Sequence, residues 1–445
     1  MKGAVLMALL KVLADIVCKT IFDPCVLERA RRRKGAFTRN HGKLPYLTMM
    51  RLLLQNAKTT ISSVLDRFFT ELRKAGCLPI GETTQCSHQA FCKARAGIDH
   101  TIFKECYIRI LDFLCNPETN ENQERIGGLW GIQPIAIDGS KITLPNRKAL
   151  RTKYGGMGTD GSSPTAIASV AYDVLRGIVL DAGLESLSVD ERTLAVRHLD
   201  SIKASSRVNP MYAMYIFDRG YASKSLILHL RDNIKSRFLF RVRRKFSTEI
   251  DALPIPEGDG IVNATVMLDG EIMVRIIRFL LPDGKTVETL MTDEFGLDEK
   301  CFKELYFLRW PCEGEYEIVK NKIGLIDFRG YSDNSVQQEF WISMLMANIA
   351  GIARKEADGR IKGDPDTPIT KHNYKANMNE LIGCISRHFP DYLDADSTEE
   401  QYSIIRYILD FAMKHKVVDK KGIGESNPRP VPRAAKYCYN KKKTH

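Results

Sequence analysis

At 445 residues the chain exceeds one ordinary domain and is long enough for two or three units around a substantial core. With 44% hydrophobic and 27% charged residues, the composition excludes wholesale disorder. The formal net charge of +12, from 66 basic and 54 acidic side chains, favours an anionic partner such as nucleic acid, and the placement of the charge must decide.

The first segment, from Met1 to Ile21, is apolar, but Lys2, Lys11, Asp15 and Lys19 interrupt it and no A-x-A cleavage site follows. It reads as an amphipathic helix. No later apolar run reaches the length a bilayer requires, so the expectation is a cytoplasmic protein without a membrane partner. The 11 cysteines contain no C-x-x-C pair and no Cys/His cluster at zinc spacing, which points to reduced, buried thiols. Helical spacing continues to about Cys115, through Leu47, Met50, Leu53 and Leu54 and through Val64, Phe68 and Leu72. Within this region the basic run Arg29 to Lys43 contains Arg31, Arg32 and Arg33; it is either a phosphate-following arm or a solvated loop. SHQAFCKARAGIDHTIFKEC adds a helix with Ser87 as N-cap and leaves a helix-turn-helix open.

From Gly131 to Phe240 the runs are β-like: PIAID, then TAIASVAYDVLRGIVLDAGLES, then MYAMYIFD, then SRFLFRV. Asp138-Gly139 and Arg176-Gly177 read as turns. Between the second and third runs, SVDERTLAVRHLDSIKAS reads as a helix capped by Ser188, with Glu191 closing a capping box. The order β, hairpin, α, β, α, β predicts a mixed α/β sheet. A further β-rich stretch at about 246–296 contains a hairpin turn at Asp269-Gly270. After Gly351, DGRIKGDPDTP reads as a polar linker, EEQYSIIRYILDFAMKHK as a last helix, and NPRPVPRAAKYCYNKKKTH as a basic tail. The predicted domains are a helical region over 1–120, an α/β domain over 130–355 and a C-terminal helical region over 365–445.

Asp138 and Asp218 each follow an apolar run, and two such strands side by side would bring both carboxylates to one sheet edge, where a cation or proton must separate them. In YFLRWPCEGEYEIVKNK, Tyr306, Arg309, Glu313 and Lys320 recur at i, i+3, i+7 and i+14, which puts them on one helix face. A solvated face of salt bridges is the alternative reading of that pattern.

These segments resemble the bacterial insertion-sequence transposases of the aspartate-aspartate-glutamate class, specifically the insertion-sequence-four group with its tyrosine-arginine-glutamate-lysine signature. ELYFLRWPCEGEYEIVKNKIGLIDFRGYS is similar to that signature, and AIDGSKITLP and FDRGYAS to the segments around the two aspartates. Weaker similarity in FTRNHGKLPYLTMMRLLL and AFCKARAGI extends toward the N-terminus. The resemblance implies a ribonuclease-H-like mixed-sheet core with a β-rich insertion, preceded by an all-helical N-terminal domain. It implies that Asp138, Asp218 and Glu313 hold a pair of Mg²⁺ ions, with Mn²⁺ able to substitute. Arg309 and Lys320 would grip phosphates with Tyr306 beside them, and Arg219 and Lys141 are further phosphate candidates. The expected partner is double-stranded DNA, both terminal inverted repeats and target, bound by a homodimer on paired ends in a nucleoid-associated protein. Alternatives are a structure-specific nuclease of the same fold and a transposase-derived DNA-binding protein without catalysis. Pro311 and Cys312 stand where the family commonly has other residue types, and the insertion lacks tryptophan, since Trp130, Trp310 and Trp341 lie outside it.

Overall fold

The computed structural model describes residues 2–37, 44–55, 60–74, 86–116, 130–158, 161–306, 328–363 and 373–419. The first part is helical, as its spacing predicts: α1 (Lys2–Phe22), α2 (Pro24–Ala30), α3 (Tyr46–Leu54), α4 (Ile61–Lys74), α5 (His88–Arg95) and α6 (Thr101–Cys115). Ser87 caps α5 by accepting a hydrogen bond from the Ala90 N–H. In α6, Ile102, Phe103, Cys106, Tyr107, Ile110, Leu111 and Leu114 bury a single face at three- and four-residue spacing.

The sheet follows. Its elements are β1 (Gln133–Thr143), α7 (Lys148–Tyr154), β2 (Gly156–Met157), β3 (Ser163–Asp173), β4 (Ile178–Ser186), α8 (Glu191–Ala204), β5 (Ala213–Phe217), α9 (Lys224–Leu228) and β6 (Arg237–Arg241). A π-helical turn, His229–Ile234, extends α9. The short α10 (Thr248–Asp251) then leads to β7 (Ile261–Leu268), β8 (Ile272–Leu280), β9 (Val287–Thr292) and a helix α11 over 299–306. Strand order is β4-β3-β1-β5-β6-β9-β8-β7, with β2 paired to one end of β3. The β1–β5 and β5–β6 pairs are parallel and the others antiparallel. Central strands such as Ala213–Phe217 are buried on both faces, which is why they read as continuous apolar runs, whereas the edge strand β7 alternates. The β-rich stretch does not stand apart: β9 pairs with β6 and continues the same sheet. Its hairpin turns at Asp269-Gly270, both with positive φ (46° and 73°), the backbone that an Asp-Gly pair accommodates.

Behind β3 and β4 runs α12 (Asp333–Gly363), followed by β10 (Tyr374–Ala376), α13 (Met378–His388), a 3₁₀ turn (Phe389–Asp394), α14 (Thr398–Lys414) and β11 (Lys416–Val418). Buried residues of α1, α3, α6, the sheet, α12, α13 and α14 form one continuous hydrophobic core. A bulge in the β3–β4 pairing skips Leu180, and the fully buried Asn348 of α12 accepts from the Val179 N–H at 2.7 Å and donates to its carbonyl at 3.0 Å. A Cβ on Gly351 would lie 2.1 Å from the Gly177 carbonyl oxygen, so only glycine lets α12 approach the β3–β4 turn so closely.

Four sequence expectations are corrected. Asp138-Gly139 is not a turn; both residues lie within β1, paired with Val170 and Ser169, because β3 supplies a ladder as far as Thr143. The cap of α8 is Asp190 rather than Ser188: its carboxylate accepts from the Arg192 and Thr193 N–H groups and from the Thr193 hydroxyl. Of the linker expected after Gly351, residues 358–363 are helical and the rest lies outside the described residues. Buried Ala357 and Ile361 hold that turn, with Arg354–Asp358 and Glu356–Arg360 pairs at i,i+4, which outweighs the roughly 1 kcal/mol cost of Gly359. Lastly, Cys25 is exposed, although Cys86, Cys106, Cys115 and Cys384 are buried thiols as expected. The basic tail lies outside the described residues. No helix among the described residues is long and apolar enough to cross a membrane.

Candidate active site

The parallel pairing of β1 with β5 runs from Gln133↔Ala213 to Ala136↔Ile216. Two residues further along stand Asp138 in β1 and Asp218 just past the end of β5, at corresponding positions if the register is continued. Beyond Ala136 the β1–β5 pairing ends, while β1 continues against β3 alone, so the two carboxylates flank an opening in the sheet. Asp138 is half-buried. The Asp218 side chain is 40% exposed, yet its Oδ1 is buried and has no hydrogen-bond partner among the described residues. The turn Asp218-Arg219-Gly220-Tyr221 closes with the Tyr221 N–H donating to the Asp218 carbonyl.

The register continues across β6, where Phe217 pairs with Phe240 and Asp218 therefore faces Arg241. Arg241 Nη1 lies 3.5 Å from Asp218 Oδ1. Its other edge is committed to Glu288 of β9, with Nε donating at 2.7 Å and Nη2 at 2.6 Å, a forked pair on a carboxylate with no exposed surface. Burial alone would lower the Arg241 pKa; the Glu288 hydrogen bonds and charge, with Tyr306 and Asp218 adding, hold it above its ordinary value. Arg219 reaches the same Glu288 at 3.4 Å. The guanidinium of Arg241 also stands over the Tyr306 ring, 5.8 Å from its centroid.

Asp138 is braced differently. Beneath it, Ser169 Oγ lies 3.4 Å from the Asp138 carbonyl oxygen and 2.9 Å from His198 Nε2, while His198 Nδ1 lies 2.6 Å from Asp181 Oδ2. The set has the composition of a hydrolytic triad, but Ser169 and His198 are buried between sheet and α8, so no substrate reaches the hydroxyl and the network is structural. The first turn of α8 lies close to the glycines that follow the two aspartates. A Cβ at Gly139 would lie 3.6 Å from Glu191 Cγ, and one at Gly220 3.7 Å from Glu191 Oε2. Arg192 Nε donates to the Gly220 carbonyl at 3.1 Å.

Asp138 and Asp218 are thus brought together, whereas Arg309, Glu313 and Lys320 lie outside the described residues. Tyr306, expected to pack beside Arg309 and Lys320, is fully buried at the end of α11. Lys141 is exposed three residues beyond Asp138. Past it, α7 presents exposed Lys148 and Arg151, and Arg147 lies over the Tyr331 ring at 4.3 Å. Of the N-terminal basic run, Arg31 pairs with Glu28 and Arg32 with Asp99, while Arg33 is exposed. Arg95 serves packing: it is buried and donates to Gln338, Glu339 and the Ser335 carbonyl of α12. Sequence reasoning missed Glu191, Arg241, Glu288 and α7, since nothing in their spacing links them to the aspartates.

Two carboxylates in register, with one buried oxygen lacking a hydrogen bond, are a donor set suited to a hard divalent cation. Among the described residues no group of three or more metal-capable side chains is assembled.

This arrangement of a mixed sheet carrying paired aspartates falls within residues 129–349, which match the family model described as the transposase DDE domain. Residues 129–349 are thus similar to that domain. A putative transposase, y4zB, of Sinorhizobium fredii (strain NBRC 101917 / NGR234) is 26% identical over 155 residues, covering 32% of this chain and 43% of that relative. The match therefore spans less than half of the relative's length. A solved structure of the piggyBac transposase synaptic complex with hairpin DNA superposes with a TM-score of 0.47 at 11% identity, covering 89% of this chain and 85% of that one.

Proposed function

We propose that the protein is a DNA transposase that cleaves element ends and joins their 3′-hydroxyls to target DNA, using Asp138, Asp218 and Glu313 as carboxylates for a Mg²⁺ pair that Mn²⁺ can replace. The observation that carries this reading is the placement of Asp138 and Asp218 in parallel register at one opening of the sheet, within the DDE-domain match. The strand order β4-β3-β1-β5-β6, antiparallel and then parallel, supports a ribonuclease-H-like core for it.

Attack of water or a 3′-hydroxyl on a phosphodiester places charge on the entering and leaving oxygens, and divalent ions held by these carboxylates would supply the positive charge that offsets it. The chain's own part is to hold and orient. Asp138 presents its oxygens from within β1 and Asp218 from just past β5, and Lys141, Arg147, Lys148 and Arg151 offer cations for backbone phosphates running away from the site. Arg219 reaches toward the same opening, and Arg309 and Lys320 take phosphates of the non-transferred strand in this reading. Arg33 and its neighbours Arg31 and Arg32 extend the DNA path, bound by a homodimer on paired ends.

The test uses a duplex carrying the element's terminal repeat. Mg²⁺-dependent cleavage, followed by joining of a pre-cut 3′-end to a second duplex, is the expected result. Cleavage without joining would reassign the protein as a nuclease, and DNA binding without either would make it a non-catalytic relative.

A further inference from the structure

Glu288 is a fully buried carboxylate on the far side of Asp218 from Asp138, and it serves two arginines at once. A buried charge is retained against a large desolvation cost only where its partners hold it in place. Here the partners define a geometry. The Nε/Nη2 edge of Arg241 is locked onto both oxygens of Glu288, which leaves Nη1 as the group that meets Asp218 Oδ1 at 3.5 Å. The guanidinium plane is further set by the Tyr306 ring. Glu288 belongs to β9, the strand by which the β-rich stretch joins β6.

We infer that Arg241 and Glu288 are positioning residues for Asp218: Glu288 fixes Arg241 so that it orients the Asp218 carboxylate, and its charge offsets Arg241 and Arg219 so that a divalent cation can approach. This rests on the assignment of Asp218 to the metal-holding pair. It also gives the β-rich stretch a part in the chemistry, because β9 supplies the compensating charge. Without Glu288, two guanidinium groups beside Asp218 would repel the cation; without the fork of Arg241, Asp218 would lose its orientation while the charge balance stayed the same.

The experiment measures Mn²⁺ binding by the loss of the free-ion electron paramagnetic resonance signal, alongside Mg²⁺-dependent cleavage, on the full chain. Glu288→Gln is expected to weaken Mn²⁺ binding about tenfold or more and to reduce cleavage, with cleavage partly recovered at high Mn²⁺. Adding Arg241→Gln to Glu288→Gln should restore much of the Mn²⁺ binding by removing the uncompensated charge. Arg241→Lys, which preserves charge and tests the proposal even if the Gln variants fail to fold, should bind Mn²⁺ within about threefold of the parent yet cleave at least about tenfold more slowly. Folded Glu288→Gln with parental binding and cleavage, a double variant that binds no better than the single one, or Arg241→Lys with parental cleavage would each overturn the inference. Asp218→Asn is measured in parallel. If it too binds Mn²⁺ and cleaves like the parent, the assignment of the site fails; if it alone is inactive, only the positioning role does.

Discussion

Asp138 and Asp218 stand side by side, yet the structure supports them by different means. Asp138 lies inside a long strand whose ladder to β3 continues past it, and its braces are the hydrogen-bonded Ser169, His198 and Asp181 beneath the sheet. Asp218 lies just past the end of a short strand, where no ladder holds it, and its neighbours are an arginine fork and a buried glutamate. Where the backbone already fixes a carboxylate, hydrogen bonds to the chain suffice; where the strand stops, orientation has to come from charged side chains. The first support is local to one hairpin and α8. The second draws on β6, β9 and α11, elements distant in sequence.

The comparison is broken most directly at the aspartates themselves. Asp138→Asn and Asp218→Asn should each lower Mg²⁺-dependent cleavage at least about a thousandfold with little change in melting temperature, since each removes a candidate ligand rather than a packing group. Near-parental cleavage by either variant takes that residue out of the site. Next in size, Glu288→Ala should cost about 3–5 kcal/mol of folding stability in denaturant titration, because it strands the part-buried Arg241 charge. His198→Ala should cost less, about 2–3 kcal/mol, through a cavity and unpaired Ser169 and Asp181 groups. If the order is reversed, the ionic support is not the costlier one to break.

Ser169→Ala sharpens the contrast further. It should cost about 1 kcal/mol and change cleavage by no more than about threefold, because the β1–β3 ladder still holds Asp138. A large loss of cleavage would mean that the network beneath Asp138 orients it as Arg241 orients Asp218. A pH-dependent effect concerns Asp293, next to β9, whose carboxyl is pushed up to about 6, chiefly by burial, against the opposing hydrogen bond from the Phe238 N–H. Because the folded carboxyl binds its proton more tightly than the unfolded one, the associated stability is full below its ordinary 3.8 and is lost as pH rises through about 6. Asp293→Asn should therefore gain melting temperature relative to the parent as pH rises from about 4 to 7 and then level off. A difference that stays flat across that window would remove Asp293 from the titrating part of this support.

Much of this was legible in the residues themselves. The helical spacing of the first part, the strand runs and the Asp269-Gly270 hairpin all rest on periodicity or turn chemistry, which are local properties. Local signals also misled. Asp138-Gly139 has the composition of a turn but is held extended by β3, Ser188 was outcompeted as a cap by Asp190, and Gly359 remained helical because α12 buries Ala357 and Ile361 around it. Arg241 and Glu288 carry no pattern of their own, and Glu191 only that of a helix start. Their closeness to the aspartates arises from strand order and register, which bring β5, β6 and β9 together across long stretches of chain, and from the docking of α8 over the open end of β1. The sequence by itself determined most of which segments are helix or strand, because a strand's period and its apolar faces are written in consecutive residues. Only the tertiary structure decided which charges face those carboxylates, since contacts across a sheet depend on the order in which strands pair and not on their spacing along the chain.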